Sequence, residues 1–274
     1  MKAPPNTSLK KQIASSIAIL AISSLICSCN SKKTVTSDHV NEDQLWGEYK
    51  ADYNAFQSEG MEFYVQYRQG GSAGHTIRLD APARIDVDGQ PMAMVDGDRK
   101  LRNPILAVLS NGTSYYLNKP PGPPAKSYTI TWTRSDKSTY ANSLIIPEKA
   151  SIQKPVDGAV FTKGTSLSVT LAGDPLKKGE TATAHIRGPG QWHGEPVDGI
   201  RPASKSISKS ITAGTEIVFT KETMDQFGSG IARITVNRKI SAKVQQGHES
   251  VGGKLVSTYH FLPVSISIAD PPVE

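Results

Sequence analysis

The chain has 274 residues, 37% hydrophobic and 20% charged, with 23 glycines, 18 prolines and a formal net charge of +6. This length suits one large domain or two of ordinary size, and two is the expectation; the supply of β-branched and aromatic residues excludes a disordered chain. Lysine and arginine are spread along the sequence rather than clustered beside a groove-reading element, so nucleic acid is not an expected partner.

Residues 1–28 contain Lys2, Lys10 and Lys11 and no acid, and Ile13 to Cys29 is an uncharged, mostly apolar run of 17 residues with five serines, ended by polar Asn30 and Ser31. A spanning helix needs about 20 apolar residues. A basic start followed by a shorter apolar run therefore reads as a secretory signal rather than a retained membrane helix. Its removal leaves 28 basic and 25 acidic residues, a small excess. Both cysteines, Cys27 and Cys29, lie at the end of this run, so the rest of the chain offers no thiol to oxidise, which suits an oxidising exterior.

The segment Leu25-Ile26-Cys27-Ser28-Cys29 resembles the lipobox of bacterial lipoproteins. Ile26 stands at the aliphatic position three before the cysteine, Cys27 and Ser28 fill the small positions, and Cys29 is the acceptor. Taking Cys27 as acceptor instead would put Ser24 at the aliphatic position and bulky Ile26 next to the cut. The resemblance implies cleavage after Ser28, acylation of Cys29 and attachment to a membrane through the N-terminal lipid. Each acyl chain contributes about 0.8 kcal/mol per buried methylene, so the two or three chains of such proteins hold them on the bilayer. Asn30, where an inner-membrane retention signal would have aspartate, implies the outer membrane of the cell envelope.

Residues 29–44 are polar and are expected to form a flexible tether. Leu45, Tyr49, Tyr53 and Phe56 recur at three- and four-residue spacing, which predicts a short amphipathic helix. Beyond it the period becomes two. Tyr128, Ile130 and Trp132 share one face of a strand, with Trp132 in the core, and Leu167, Val169 and Leu171 share another. Even positions from Ala232 to Val244 are apolar except Arg238, and Leu262, Val264, Ile266 and Ile268 form a last face that Pro263 breaks or confines to an edge. Thr220 to Phe227 reads as one helical turn ending at Gly228. Asp88-Gly89, Asp96-Gly97, Asp157-Gly158 and Gly252-Gly253 punctuate the strands with turns that need positive φ.

The expected fold is all-β: two immunoglobulin-like antiparallel β-sandwich domains after a signal peptide, polar tether and short helix. The boundaries are 1–28 for the leader, 29–44 for the tether, 45–150 for the helix and first sandwich, and 151–270 for the second. The layout is similar to the immunoglobulin-like modules of bacterial surface lipoproteins, without the disulfide of antibody-type domains.

Asp86, Asp88, Asp96 and Asp98 could offer oxygen ligands to calcium, but Ile85 and Val87 alternate inward, which would leave Asp86 and Asp88 facing water beside a turn. The histidines at 39, 75, 185, 193, 248 and 260 show no zinc spacing, and no serine sits in a nucleophile motif, so neither metal, cofactor nor catalysis is expected. The loop Gly188 to Gly199 places Trp192 and His193 among glycines and prolines, where they could meet a glycan or protein partner; the simpler expectation is that Trp192 folds back to cap the sandwich. Gln245 to Gly253 is a second projecting tip. The expected function is a lipid-anchored, non-enzymatic binding or adhesion module for a protein or glycan. The alternatives are a spacer or accessory subunit of an envelope assembly, and an envelope hydrolase, which would require a cleft with two or more convergent titratable groups.

Overall fold

A computed structural model describes residues 35–56, 60–95, 112–191, 203–247 and 252–272. The strands of the first half are β1 Val35–Thr36, β2 Leu45–Asn54, β3 Met61–Gln69, β4 His75–Arg78, β5 Arg84–Val87, β6 Gln90–Pro91, β7 Ala93–Val95, β8 Ser114–Lys119, β9 Ser127–Thr133 and β10 Thr139–Ile145. The second half carries β11 Ser151–Lys154, β12 Ala159–Thr162, β13 Leu167–Ala172, β14 Glu180–Pro189, β15 Ser204–Ile211, β16 Glu216–Phe219, the single turn α1 Lys221–Met224, β17 Gly230–Lys243, β18 Gly253–His260 and β19 Val264–Ala269. The protein is all-β, as the period-two runs require. The expected helical turn before Gly228 is α1, and the break at Pro263 separates β18 from β19.

In the second half, β11-β13-β16 form one sheet, and β12, β19, β17, β14 and β15 follow one another across a second. Leu167, Val169, Leu171, Ile217 and Phe219 from the first share one core with Ala182, Ala184, Ile186, Ala232 and Ile234 from the other. With its opening strand divided between the sheets and β12 running parallel to the last strand, this is an immunoglobulin-like sandwich. In the first half, β10-β9-β5-β6 face a sheet containing β4, β3, β2 and β8. The core between them is aromatic: Phe63 meets Tyr128 at 4.8 Å between ring centroids, and Tyr67 meets Trp132 at 4.7 Å.

The predicted helix over residues 45–56 is a strand. Leu45, Tyr49 and Tyr53 are four apart, a spacing that period two satisfies as well as a helix does, and Gly47 and Ala51 complete the buried alternation. Phe56 falls outside that alternation and is half exposed, at 50%. The flexible tether also needs correcting from Val35 onward. β1 pairs in parallel with β4, the Asp80 amide donates to buried Ser37 Oγ at 2.9 Å, and buried Glu42 accepts from Arg134 Nε at 3.0 Å. Those bonds fix residues 35–44 against the first sandwich.

The C-terminal hairpin joins the two halves. β17 spans 14 residues, and its first part pairs with β19 in the second sandwich. Its second part pairs with β18, which runs parallel to β2 from Gly253 opposite Gly47 to His260 opposite Asn54. Strands on both sides of Ser151 therefore belong to a single 12-stranded sheet. Tyr53 and Tyr259 stack across the join with centroids 5.0 Å apart. A Cβ on Gly253 would lie 2.5 Å from the Gly47 carbonyl oxygen, so the approach of these backbones depends on glycine.

The hairpin tip reaches the opposite sheet. Fully buried Asn142 on β10 accepts from the Gln245 and Gln246 amides at 2.7 and 3.0 Å and donates to the Gln246 carbonyl at 2.9 Å. The Gln246 and Gln245 side chains accept from the Ala141 and Ser143 amides, both at 2.7 Å, satisfying an edge strand with side-chain amides. The start of the Gln245–Gly253 tip is thus docked rather than projecting.

Arg238, the one polar interruption predicted on the apolar face of β17, is 2% exposed. Its Nε donates to Glu180 Oε2 at 3.0 Å, Nη1 to the Asp174 carbonyl and Nη2 to the Pro175 carbonyl, both at 3.2 Å. Glu180 Oε2 also accepts from the Lys177 amide at 2.8 Å. The pair holds the 174–180 connection against β17 where the hairpin leaves the second sandwich. Truncating one member of such a pair leaves the other charge buried alone. Arg238→Ala is expected to lower stability by about 3–5 kcal/mol in urea unfolding, and a loss under about 1 kcal/mol would contradict this role.

Candidate functional site

The outer face of the 12-stranded sheet holds a cleft of about 450 Å³ where the two sandwiches meet. Strand alternation determines which side chains reach it. Ala182, Ala184 and Ile186 of β14 point into the core, so His185 and Arg187 point out; Ala232, Ile234 and Val236 of β17 do the same for Arg233, Thr235 and Asn237. Ser206 on β15 lies opposite Arg187. From the first sandwich come Asn54, the last residue of β2, and Phe56 just after it, and β18 ends in His260. The Phe56 amide donates to Asn54 Oδ1 at 3.0 Å, a local turn that directs the ring toward β17.

Two imidazoles lie in this cleft. His260 Nε2 is 2.8 Å from Asp52 Oδ1 across the β2–β18 join. His185 Nδ1 is 2.6 Å from Ser208 Oγ, and its Nε2 is 3.4 Å from Asn237 Nδ2. The cleft meets the requirement of convergent titratable groups, yet among the described residues Asp52 meets His260 while Ser208 meets His185, so no single imidazole joins a carboxylate to a hydroxyl as in a nucleophile-and-base triad. Burial, and secondarily the charge of His260, depress the His185 pKa.

Two arginines flank the imidazoles. Arg187 and Arg233 stand directly opposite each other in the β14–β17 register. Arg187 Nε donates to Ser204 Oγ at 3.1 Å, and the Arg233 guanidinium lies 4.4 Å from the Phe56 ring centroid. Among the described residues no carboxylate is within ion-pair distance of either. Like charges directly opposite on an antiparallel pair destabilise it, so this arrangement costs stability in the unliganded protein.

Cys29, with Ile26, Cys27 and Ser28, lies outside the described residues, as do Trp192 and His193. The flanks of that second loop are described: Gly190 bridges Phe227, and Gln191 Nε2 donates to the Asp225 carbonyl. Asp96 and Asp98 are likewise outside, while Asp86 corrects the expectation that it faces water. It is 9% exposed and accepts from Arg84 Nε at 3.1 Å. Asp88 accepts from the Thr129 amide at 2.9 Å and from Lys119 Nζ at 3.0 Å, so both acids have protein partners. Among the described residues no group of three His, Cys, Asp or Glu side chains is placed to hold a metal, and no helix is long and apolar enough to cross a membrane.

The cleft residues were missed because no motif joins them. The sequence shows that His185 and Arg187 alternate with an apolar face; the register that brings them beside Arg233, Asn237 and His260 is a tertiary fact.

No family model matches the chain, and no curated protein matches it. Among solved structures the chain is similar to the first two immunoglobulin domains of DIP-gamma, at 8% identity over 84% of this chain and 97% of that one, with a TM-score of 0.21. It is similar to the fibronectin(III)-like modules of Clostridium thermocellum CbhA, at 8% identity over 84% and 93%, with a TM-score of 0.23. A third likeness is to trypsin-activated alpha-2-macroglobulin from Escherichia coli, at 10% identity over 80% of this chain and 15% of that one, with a TM-score of 0.20. Strand order and pairing define an all-β protein with immunoglobulin-like architecture.

The depressed His185 pKa has a direct consequence. With a folded value below the ordinary value of about 6.5, the unfolded chain binds the proton more readily. His185 therefore contributes stability that is complete above that pH and declines as pH falls through 6.5 toward the folded value. An NMR titration of the His185 ring is expected to give a midpoint below 6.5; a midpoint at or above it would refute the burial argument.

Proposed function

We propose that the protein is a lipid-anchored component of the cell envelope that binds a ligand without turning it over, through the cleft between its sandwiches. The observation that carries the binding reading is the pair of cleft-lining arginines, opposite each other in the strand register and without an ion-pair partner among the described residues, set among hydroxyl, amide and imidazole groups. The division of carboxylate and hydroxyl between two different imidazoles favours binding over hydrolysis. The lipobox resemblance at Ile26, Cys27, Ser28 and Cys29 supports the anchor, and Asn30 supports the outer membrane as its site. Trp192 and His193 remain a second candidate contact, on the sequence argument alone.

A second reading, a spacer or accessory subunit of an envelope assembly, is favoured by the shared hairpin, which makes two sandwiches into one lever.

The anchor is tested by replacing the acceptor sulfur. Wild-type protein is expected to incorporate labelled palmitate and to sediment with membranes, whereas Cys29→Ser is expected to lose the label and appear in the soluble fraction. Equal labelling and sedimentation of the two would exclude acylation at Cys29. For binding, retention of solubilised envelope material by wild-type protein is expected to fall when the cleft is altered; unchanged retention would favour the spacer.

A further inference from the structure

We propose that the ligand of this cleft is an acidic glycan, a saccharide bearing carboxylate or phosphate groups, whose anion is held between Arg187 and Arg233. The proposal rests on the binding reading above and adds the chemical class of the ligand. Two arginines opposite each other in the β14–β17 register, both outward and both lining the cleft, offer N–H donors suited to an oxyanion. Among the described acids, Asp52 pairs with His260 at 2.8 Å and Glu48 with Lys50 at 2.9 Å.

The rest of the surface fits a sugar better than a bare anion. Ser206, Thr235, Asn237, Asn54 and His260 line the cleft with groups that match hydroxyls, and 450 Å³ is within the range of small-ligand sites. Positive charge then continues along the same face of β17 from Arg233 to Lys239, six residues or about 20 Å along the strand. Burial first, and then the neighbouring Lys254 and Lys50, lower the Lys239 pKa, which marks this part of the face as positive too. A chain with repeated anionic groups can lie along that track. Nucleic acid fits less well, because stacking of bases needs free aromatic faces: of the two phenylalanines lining the cleft, Phe261 is buried and Phe56 has Arg233 over it.

The test uses the full-length lipoprotein in detergent at low ionic strength, titrated calorimetrically with four probes. These are a tetrasaccharide of alternating glucuronate and N-acetylglucosamine, neutral cellotetraose, inorganic phosphate, and a single-stranded oligonucleotide. The acidic tetrasaccharide is expected to bind at least tenfold more tightly than the other three, and the affinity to fall as salt is raised. Arg187→Gln combined with Arg233→Gln is expected to weaken it at least tenfold with no loss of melting temperature, since both side chains are exposed. Phosphate binding as tightly as the saccharide, or the oligonucleotide doing so through the same arginines, overturns the glycan assignment. So does an acidic tetrasaccharide that fails to bind, or that binds the double variant equally well. Cellotetraose binding in a way lost in Asn237→Ala would overturn the acidic class and leave the binding reading standing. Silence of all four probes together with solubilised envelope material would end both.

Discussion

The parallel pairing of β18 with β2 is the contact on which the architecture depends. It joins segments about 200 residues apart, Gly47 with Gly253 at one end and Asn54 with His260 at the other, and it turns two successive sandwiches into neighbours in one sheet. Parallel neighbours cannot be linked by a tight turn, so everything between them must fold into position before the join can close. The close passage of Gly253 over Gly47 and the stacking of Tyr53 on Tyr259 determine its register. Asn142 then clasps the hairpin tip from the opposite sheet, so the hairpin touches both layers of the first sandwich.

The cleft is a product of that join. Asp52, Asn54 and Phe56 come from the first sandwich, His185, Arg187, Arg233 and Asn237 from the second, and His260 lies on the strand that bridges them. Charge pairing follows the same geography: Asp52 meets His260 across the join, while the arginines on the second sandwich have no carboxylate opposite them. A separate pair of domains on a loose linker would bring these groups together only transiently. Here they are held by continuous strand pairing, which fixes their relative positions in advance.

Much of the fold was legible because burial on one face writes period two into a strand. Trp132, Leu167 to Leu171 and Ala232 to Val236 are buried where alternation put them. β2 reads as a helix in the sequence because Leu45, Tyr49 and Tyr53 satisfy both periods, and the small residues Gly47 and Ala51 that complete the alternation carry little hydrophobic signal. The polar stretch 35–44 hid its attachment because it docks through Ser37 and Glu42, which composition alone reads as solvent-facing. The candidate site was legible only in part. Outward positions of His185 and Arg187 follow from their apolar neighbours, but proximity of Arg233, Asn237 and His260 depends on register between distant strands, and no local pattern encodes it.

Native-state hydrogen exchange tests the central join most directly. If β18 unites the sandwiches, amides of β2, β18 and β17 should open with the same free energy and respond to urea as one cooperative unit. Exchange of β2 and β18 at a distinctly lower opening free energy, while β17 opposite β14 stays protected, would show two independent domains and contradict the account.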